Sequence, residues 1–130
     1  MITVVVMLDE KTIHCAIIDW LHVSLPKKSV VHHSPNEGRH HVSYRVQQKR
    51  MGMQAGWPDI EIFVSDEFFY TKKAVPIFLE VKTKKGYLTN SQCRIIERLG
   101  DLGAQTGIVR SIDDAKEFLS KIIELRAVNL

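Results

Sequence analysis

Gly56-Trp57-Pro58-Asp59-Ile60 and, after a charged interval, Phe78-Leu79-Glu80-Val81-Lys82 decide how this chain is read. Each stretch joins polar side chains to a short, β-prone apolar run. Glu80 and Lys82 lie two apart, so on a strand their side chains leave by one face while Leu79 and Val81 point to the other. If Asp59–Val64 and Pro76–Lys82 pair symmetrically about the loop Ser65–Val75, Asp59 faces Val81 and stands diagonal to Glu80 and Lys82. Two carboxylates and an amine then meet at one end of a sheet. Neighbouring carboxylates repel unless a cation lies between them, and oxygen ligands of this kind suit Mg²⁺ or Mn²⁺. The lysine would orient or deprotonate an attacking water, or steady a phosphate. The plainer alternative is an ion pair along a strand, with Asp59 as a turn residue after Pro58.

Outward from this pair, Glu10 to about Leu25 reads as a helix, with Ile13, Ala16, Ile17, Trp20, Leu21 and Ser24 on one face. Pro26 stops it. Val30–Ser34 is a short β-branched strand, and Pro35-Asn36-Glu37-Gly38 is turn chemistry. Val42–Met51 reads as a helix closed by Gly52, followed by a loop to Pro58. Thr83–Thr89 is a loop carrying Lys84, Lys85 and Gly86. Thr89 or Asn90 caps a helix to about Leu102, with a buried stripe of Ile95, Ile96, Leu99 and Leu102, ended by Gly103. Thr106–Arg110 is a strand. Ser111 caps a last helix with the stripe Ile112, Ala115, Phe118, Leu119 and Ile122, and Asp113 and Asp114 favour its N-terminal dipole. The order predicts an α/β fold: a mixed four-stranded sheet flanked by helices.

The chain has 130 residues, 45% of them apolar and 25% charged. That suits one globular domain spanning 1–130. No apolar run is long enough to span a membrane. Met1–Leu8 is too short, and lacks the basic lead-in, for a secretory signal; it is an edge strand, a segment pairing across a dimer, or a disordered start. Two isolated cysteines, Cys15 and Cys93, predict an intracellular, cytoplasmic setting. Net charge is +3, but bases concentrate in two windows. Arg39, Arg45, Lys49 and Arg50 occur with no acid before Pro58, and Lys82, Lys84, Lys85, Arg94 and Arg98 stand against Glu97 alone. Such clustering draws polyanions, although a solvated charged face would look the same.

Together, Asn36-Glu37-Gly38, Met51-Gly52, Ala55-Gly56-Trp57-Pro58-Asp59, Phe78-Leu79-Glu80-Val81-Lys82 and Gly86-Tyr87-Leu88-Thr89-Asn90-Ser91-Gln92 resemble the VRR-NUC (virus-type replication-repair nuclease) family of the PD-(D/E)XK nuclease superfamily. The resemblance runs from about Glu10 to Leu119 and implies a restriction-endonuclease-like core of the stand-alone phage or bacterial kind. It implies a metal held by Asp59, Glu80 and the Val81 carbonyl, with Glu10 as a further acid and Glu37 its rival. Lys82 would handle the water or phosphate, and Gln92 would reach the site. Arg45, Lys49, Arg50, Lys84 and Lys85 would bind the DNA backbone. The implied activity is Mg²⁺- or Mn²⁺-dependent endonucleolytic cutting of DNA. Likeness in fold to Holliday-junction resolvases points to branched DNA and a homodimer.

Gly52 and Gly56 read as a helix end and a place where backbone passes close to a phosphate, or as simple turns. All six histidines precede position 42, but none has zinc-ligand spacing; they read as surface or phosphate-contacting groups. Neither cysteine has a paired base, and Gly100 to Gly103 is a helix end. Two other functions remain open: a non-catalytic nucleic-acid-binding module, and a sequence-specific restriction-type nuclease.

Overall fold

In a computed structural model, residues 7–35 and 41–126 are described. The elements follow the chain as α1 (Glu10–Ser24), β1 (Val30–His33), α2 (Val42–Arg50), β2 (Ile60–Phe63), a short 3₁₀ turn (Asp66–Phe68), β3 (Ile77–Val81), α3 (Asn90–Asp101), β4 (Gln105–Val109) and α4 (Ile112–Ser120). The strands form one mixed sheet in the order β1-β2-β3-β4. β1 and β3 run antiparallel to β2, and β4 runs parallel to β3. The α/β architecture read from the sequence is therefore the one observed.

Local chemistry sets the helix ends. Asp9 caps α1 by accepting from the Thr12 N–H, and Ser111 caps α4 by accepting from the Asp114 N–H. Gly52, at φ 107°, closes α2. Its N–H reaches the Lys49 carbonyl and the Met53 N–H reaches that of Gln48, which satisfies two otherwise orphaned acceptors.

The core lies between the sheet and the α1–α4 layer. Ile13, Ile17 and Leu21 of α1 and Ala115 and Leu119 of α4 are buried with Ile60, Ile62, Ile77, Leu79, Val81 and Val109 of the sheet. Gly107 belongs to this packing, since a Cβ there would lie 2.9 Å from the Phe118 ring.

Three expectations change. The stripe assigned to α3 is only half-buried, and Leu102 is 77% exposed. The helix is anchored by Gln92, its one fully buried residue, rather than by an apolar seam. The interval Ser65–Val75 is also more than a solvated hairpin loop. Phe69 is buried and bridges Ile123, while the Tyr70 N–H reaches the Ile122 carbonyl and the Glu124 N–H that of Phe68. The strand register also differs from the symmetric one. Ile60 pairs with Leu79 and Glu61 with Phe78. The next rung sets Asp59 opposite Glu80, not opposite Val81 as symmetry predicted. A one-residue shift exchanges the faces of a strand, and here it puts both acids on the same face.

Candidate functional site

β3 has no solvent-facing side: Phe78, Glu80 and Lys82 are as well covered as their apolar neighbours, with Glu80 1% and Lys82 8% exposed. Trp57 covers Phe78 edge to face, with ring centroids 5.4 Å apart. Gly56, at φ 78°, lies so close to α3 that a Cβ would stand 2.4 Å from the Ser91 carbonyl carbon and 2.5 Å from the Gln92 nitrogen. The close approach expected of this glycine is thus to the start of α3, which it presses toward the acids.

Asp59, Glu80, Lys82 and Gln92 converge. Asp59 Oδ2 accepts from the Val81 N–H at 2.7 Å. The Asp59 carbonyl accepts from the Ser34 N–H at 3.2 Å and from His33 Nδ1 at 2.9 Å. A carbonyl only accepts, so the His33 proton is on Nδ1. Glu80 Oε1 accepts from Gln92 Nε2 at 2.7 Å and lies 3.8 Å from Lys82 Nζ.

Glu80 Oε2 is buried with no hydrogen-bond partner. Burial first, then the Asp59 charge and then Glu10, push the Glu80 carboxyl up to about 8 against the opposing pull of Lys82. When protonated, Glu80 can share that proton with Asp59.

A third acid on this face makes the contrast. Glu61 Oε1 accepts from Ser34 Oγ at 2.6 Å and from Trp57 Nε1 at 3.0 Å, with His32 at 3.6 Å. Burial works to raise its pKa, but these partners hold it below the ordinary value. Glu61 is satisfied by the protein, and Glu80 is not.

Glu10 enters from α1. With His14, His33 and Asp59 it lines a cavity of about 460 Å³ beside the acid pair. Among the described residues, no three His, Cys, Asp or Glu side chains are drawn together tightly enough to form a metal-ligand cluster. Glu37, the alternative to Glu10, lies outside the described residues, as do Met1 to Val6. Arg45, Lys49 and Arg50 are exposed on α2, and Lys84 and Lys85 are exposed after β3. The Val81 carbonyl lies one residue from Glu80, on the strand that carries both Glu80 and the N–H bound to Asp59.

Sequence reasoning read His14 and His33 only as surface or phosphate-contacting groups and did not pair them. Their rings meet edge to face at 4.6 Å on the cavity wall, and burial followed by the His33 charge lowers the His14 pKa, with Asp59 opposing. Nineteen positions apart, they carry no spacing signal. Arg110 was also missed. Its Nη1 donates to the Thr83 carbonyl at 2.6 Å and the Gly86 carbonyl at 2.9 Å, holding the loop that bears Lys84 and Lys85.

The arrangement offers oxygen donors to a divalent ion and an amine beside them, with exposed bases on α2 and after β3. Comparison with known proteins bears on the fold and the family. A comparison with curated proteins gives no match. A solved structure described as a VRR_NUC domain protein superposes with a TM-score of 0.65, at 21% identity and covering 88% of each chain, which shows the restriction-endonuclease-like, PD-(D/E)XK-type fold. The VRR-NUC domain model matches residues 3–113. The chain therefore belongs to the VRR-NUC family of nuclease domains.

Proposed function

We propose that this chain is a Mg²⁺- or Mn²⁺-dependent DNA endonuclease. The observation that carries the reading is Glu80: a buried carboxylate with one oxygen unpartnered, beside a second carboxylate. Burying a carboxylate oxygen without a partner is costly, and a divalent cation answers both that cost and the repulsion from Asp59. The donor set fits the ion, since Mg²⁺ commonly takes one or two carboxylates with waters and substrate phosphate. Asp59, Glu80 and the Val81 carbonyl would hold it, with Glu10 or Glu37 as a further acid.

When bound, such an ion supplies charge to polarise a phosphodiester and lower the pKa of water. The protein's own groups do the rest. Gln92 keeps Glu80 from turning away. Lys82 Nζ stands where it can orient or deprotonate the water, or bind the phosphate. Burial keeps the surroundings low in dielectric, which strengthens each of these interactions. Arg45, Lys49, Arg50, Lys84 and Lys85 would hold the DNA backbone, which gives affinity without sequence preference.

We further propose branched DNA, four-way junctions first, as substrate and a homodimer as the acting form, so that two sites cut opposing strands. Both rest on the fold and its resemblance to junction resolvases. The chain 1–130 is read as a single nuclease domain. Among the described residues, no helix is long and apolar enough to cross a membrane.

The test is to incubate the protein with linear duplex, flapped and four-way DNA in Mg²⁺, in Mn²⁺ and in chelator. Divalent-dependent cutting of the branched substrates is expected. Cutting that survives chelation refutes the metal. Salt-sensitive binding without any cutting would make the chain a binding module. Cutting confined to one duplex sequence would make it a restriction-type enzyme. Sizing in solution tests the dimer.

A further inference from the structure

The two basic windows of the sequence meet in space at a place the acid site does not use. A second cavity, of about 620 Å³, opens between the loop leading to Asp59 and the outer face of α3. Lys49 comes to it from the first window, and Arg94 and Arg98 from the second. With them the lining includes the large apolar side chains Met53, Trp57 and Ile95, beside Gln54 and Ser91. Its size is that of a site for a small organic molecule.

The cavity adjoins the acid pair through two short links. Ser91 lines it, and the next residue, Gln92, holds Glu80; Trp57 lines it two residues before Asp59. Duplex backbone alone would account for the cations but not for the apolar side chains, because paired bases are stacked inside the helix and offer no face. An unpaired nucleotide offers both a phosphate and an apolar base, the combination by which single strands are held.

We infer that this cavity receives an unpaired nucleotide of the substrate, its phosphates on Lys49, Arg94 and Arg98 and its base against Met53, Trp57 and Ile95. The inference rests on the nuclease reading and refines its substrate, because among branched DNAs the cavity would favour one with a single-stranded arm next to the cut over the fully paired four-way junction. Trp57 is both wall and reporter. The chain holds two tryptophans, so Trp20→Phe leaves Trp57 as the sole indole emitter.

The experiment titrates the Trp20→Phe protein, in Ca²⁺, with a blunt duplex, the same duplex bearing a thymidine flap, and the same flap made abasic. The flap is expected to quench Trp57 emission and bind about tenfold tighter than duplex, with the abasic flap losing the quench and most of the preference. Arg94→Gln with Arg98→Gln is expected to lower the salt slope of flap binding by about 1.4, two phosphates' worth. Ile95→Ala should weaken the preference for the intact flap over the abasic one while leaving that slope alone. Lys49→Gln, on an exposed helix face, repeats the charge test where folding is not at stake, with an expected loss of about 0.7 in slope.

Equal quenching by duplex and flap, or equal loss of affinity for both in the arginine and lysine variants, would reduce the cavity to a backbone contact and overturn the inference while leaving the nuclease intact. Selective flap binding with no cutting under Mg²⁺ or Mn²⁺ would do the reverse, supporting the cavity and sinking the nuclease reading.

Discussion

Gln92 holds Glu80 with the end of its amide that helix capping leaves over. Its Oε1 accepts from the Thr89 N–H at 2.9 Å, closing a capping box with the Thr89 hydroxyl, and its Nε2 donates to Glu80 Oε1 at 2.7 Å. One side chain thus starts α3 and fixes the most buried acid of the site. Gln92→Glu keeps the cap but sets a carboxylate against a carboxylate. Gln92→Ala removes both contacts and should lower stability by ~1–3 kcal/mol, the cost of leaving a buried group unsatisfied. Both variants should cut DNA about 10–100-fold more slowly, as for loss of a group that orients a ligand. Melting curves and initial rates check this, and a Gln92→Glu protein cutting at the unmodified rate would show that the contact has no part in the reaction.

Glu80→Gln separates the folding role of this position from its function. The amide has the same shape and needs no proton to be neutral, so the metal-free protein should melt higher than the parent at neutral pH, where folding obliges Glu80 to take up a proton. Mn²⁺ should raise the melting temperature of the parent and not of the variant, because a ligand that binds only the folded state stabilises it by mass action. Cutting should fall by more than the ~100-fold upper end for an orienting partner. Scanning calorimetry with and without Mn²⁺ is sufficient, and an equal metal-induced shift in both proteins would remove Glu80 from the ligand set.

The same carboxyl sets a pH dependence. In the fold it binds its proton more tightly than its ordinary value of 4.5 allows, releasing it at about 8. The folded state therefore holds more protons than the unfolded chain between those values, and stability falls as pH rises. Glu80 supports the metal-free fold fully below 4.5, and this support is lost as pH climbs through about 8. Urea unfolding in chelator should show the decline, and Glu80→Gln should flatten it. A parent protein that gains stability over that interval, relative to the variant, would contradict the burial described.

Gly52 and Gly56 both have positive φ, yet they should respond differently to alanine. At Gly52 nothing lies within 4 Å of a built Cβ, so Gly52→Ala meets backbone strain alone, roughly 1–2 kcal/mol. At Gly56 the Cβ would collide with the backbone of Ser91 and Gln92. That backbone cannot yield without moving Gln92 away from Glu80, so Gly56→Ala should lose clearly more stability and most cutting as well. The two melting temperatures and rates, side by side, test the placement of α3.

Much of this was readable from the residues. The alternation around Glu80 and Lys82, the caps at Thr89 and Ser111, and the closing glycines at Gly52 and Gly103 are local signals, each acting within a few residues, and each gave its element. The meeting of Asp59, Glu80 and Lys82 was expected from the pairing of two neighbouring strands, and the reach of Gln92 from the resemblance to the VRR-NUC family. Long-range effects were illegible. Phe69 looked like loop and is core, because its partner Ile123 is more than fifty residues away. Leu102 fitted a stripe and is exposed, because an amphipathic pattern says which side is apolar but not whether anything covers it. His14 and His33 meet only through the placement of α1 beside β1.

Sequence alone determined the element types, the strand carrying Glu80 and Lys82 and the chemistry of its side chains, since all of these follow from nearest-neighbour sterics and side-chain identity. Tertiary structure alone decided that Asp59 stands opposite Glu80, that Glu61 is satisfied while Glu80 Oε2 is not, and that Lys49 joins Arg94 and Arg98. A register, an unpartnered buried atom and a shared cavity are properties of segments brought together by folding, and no single segment contains them.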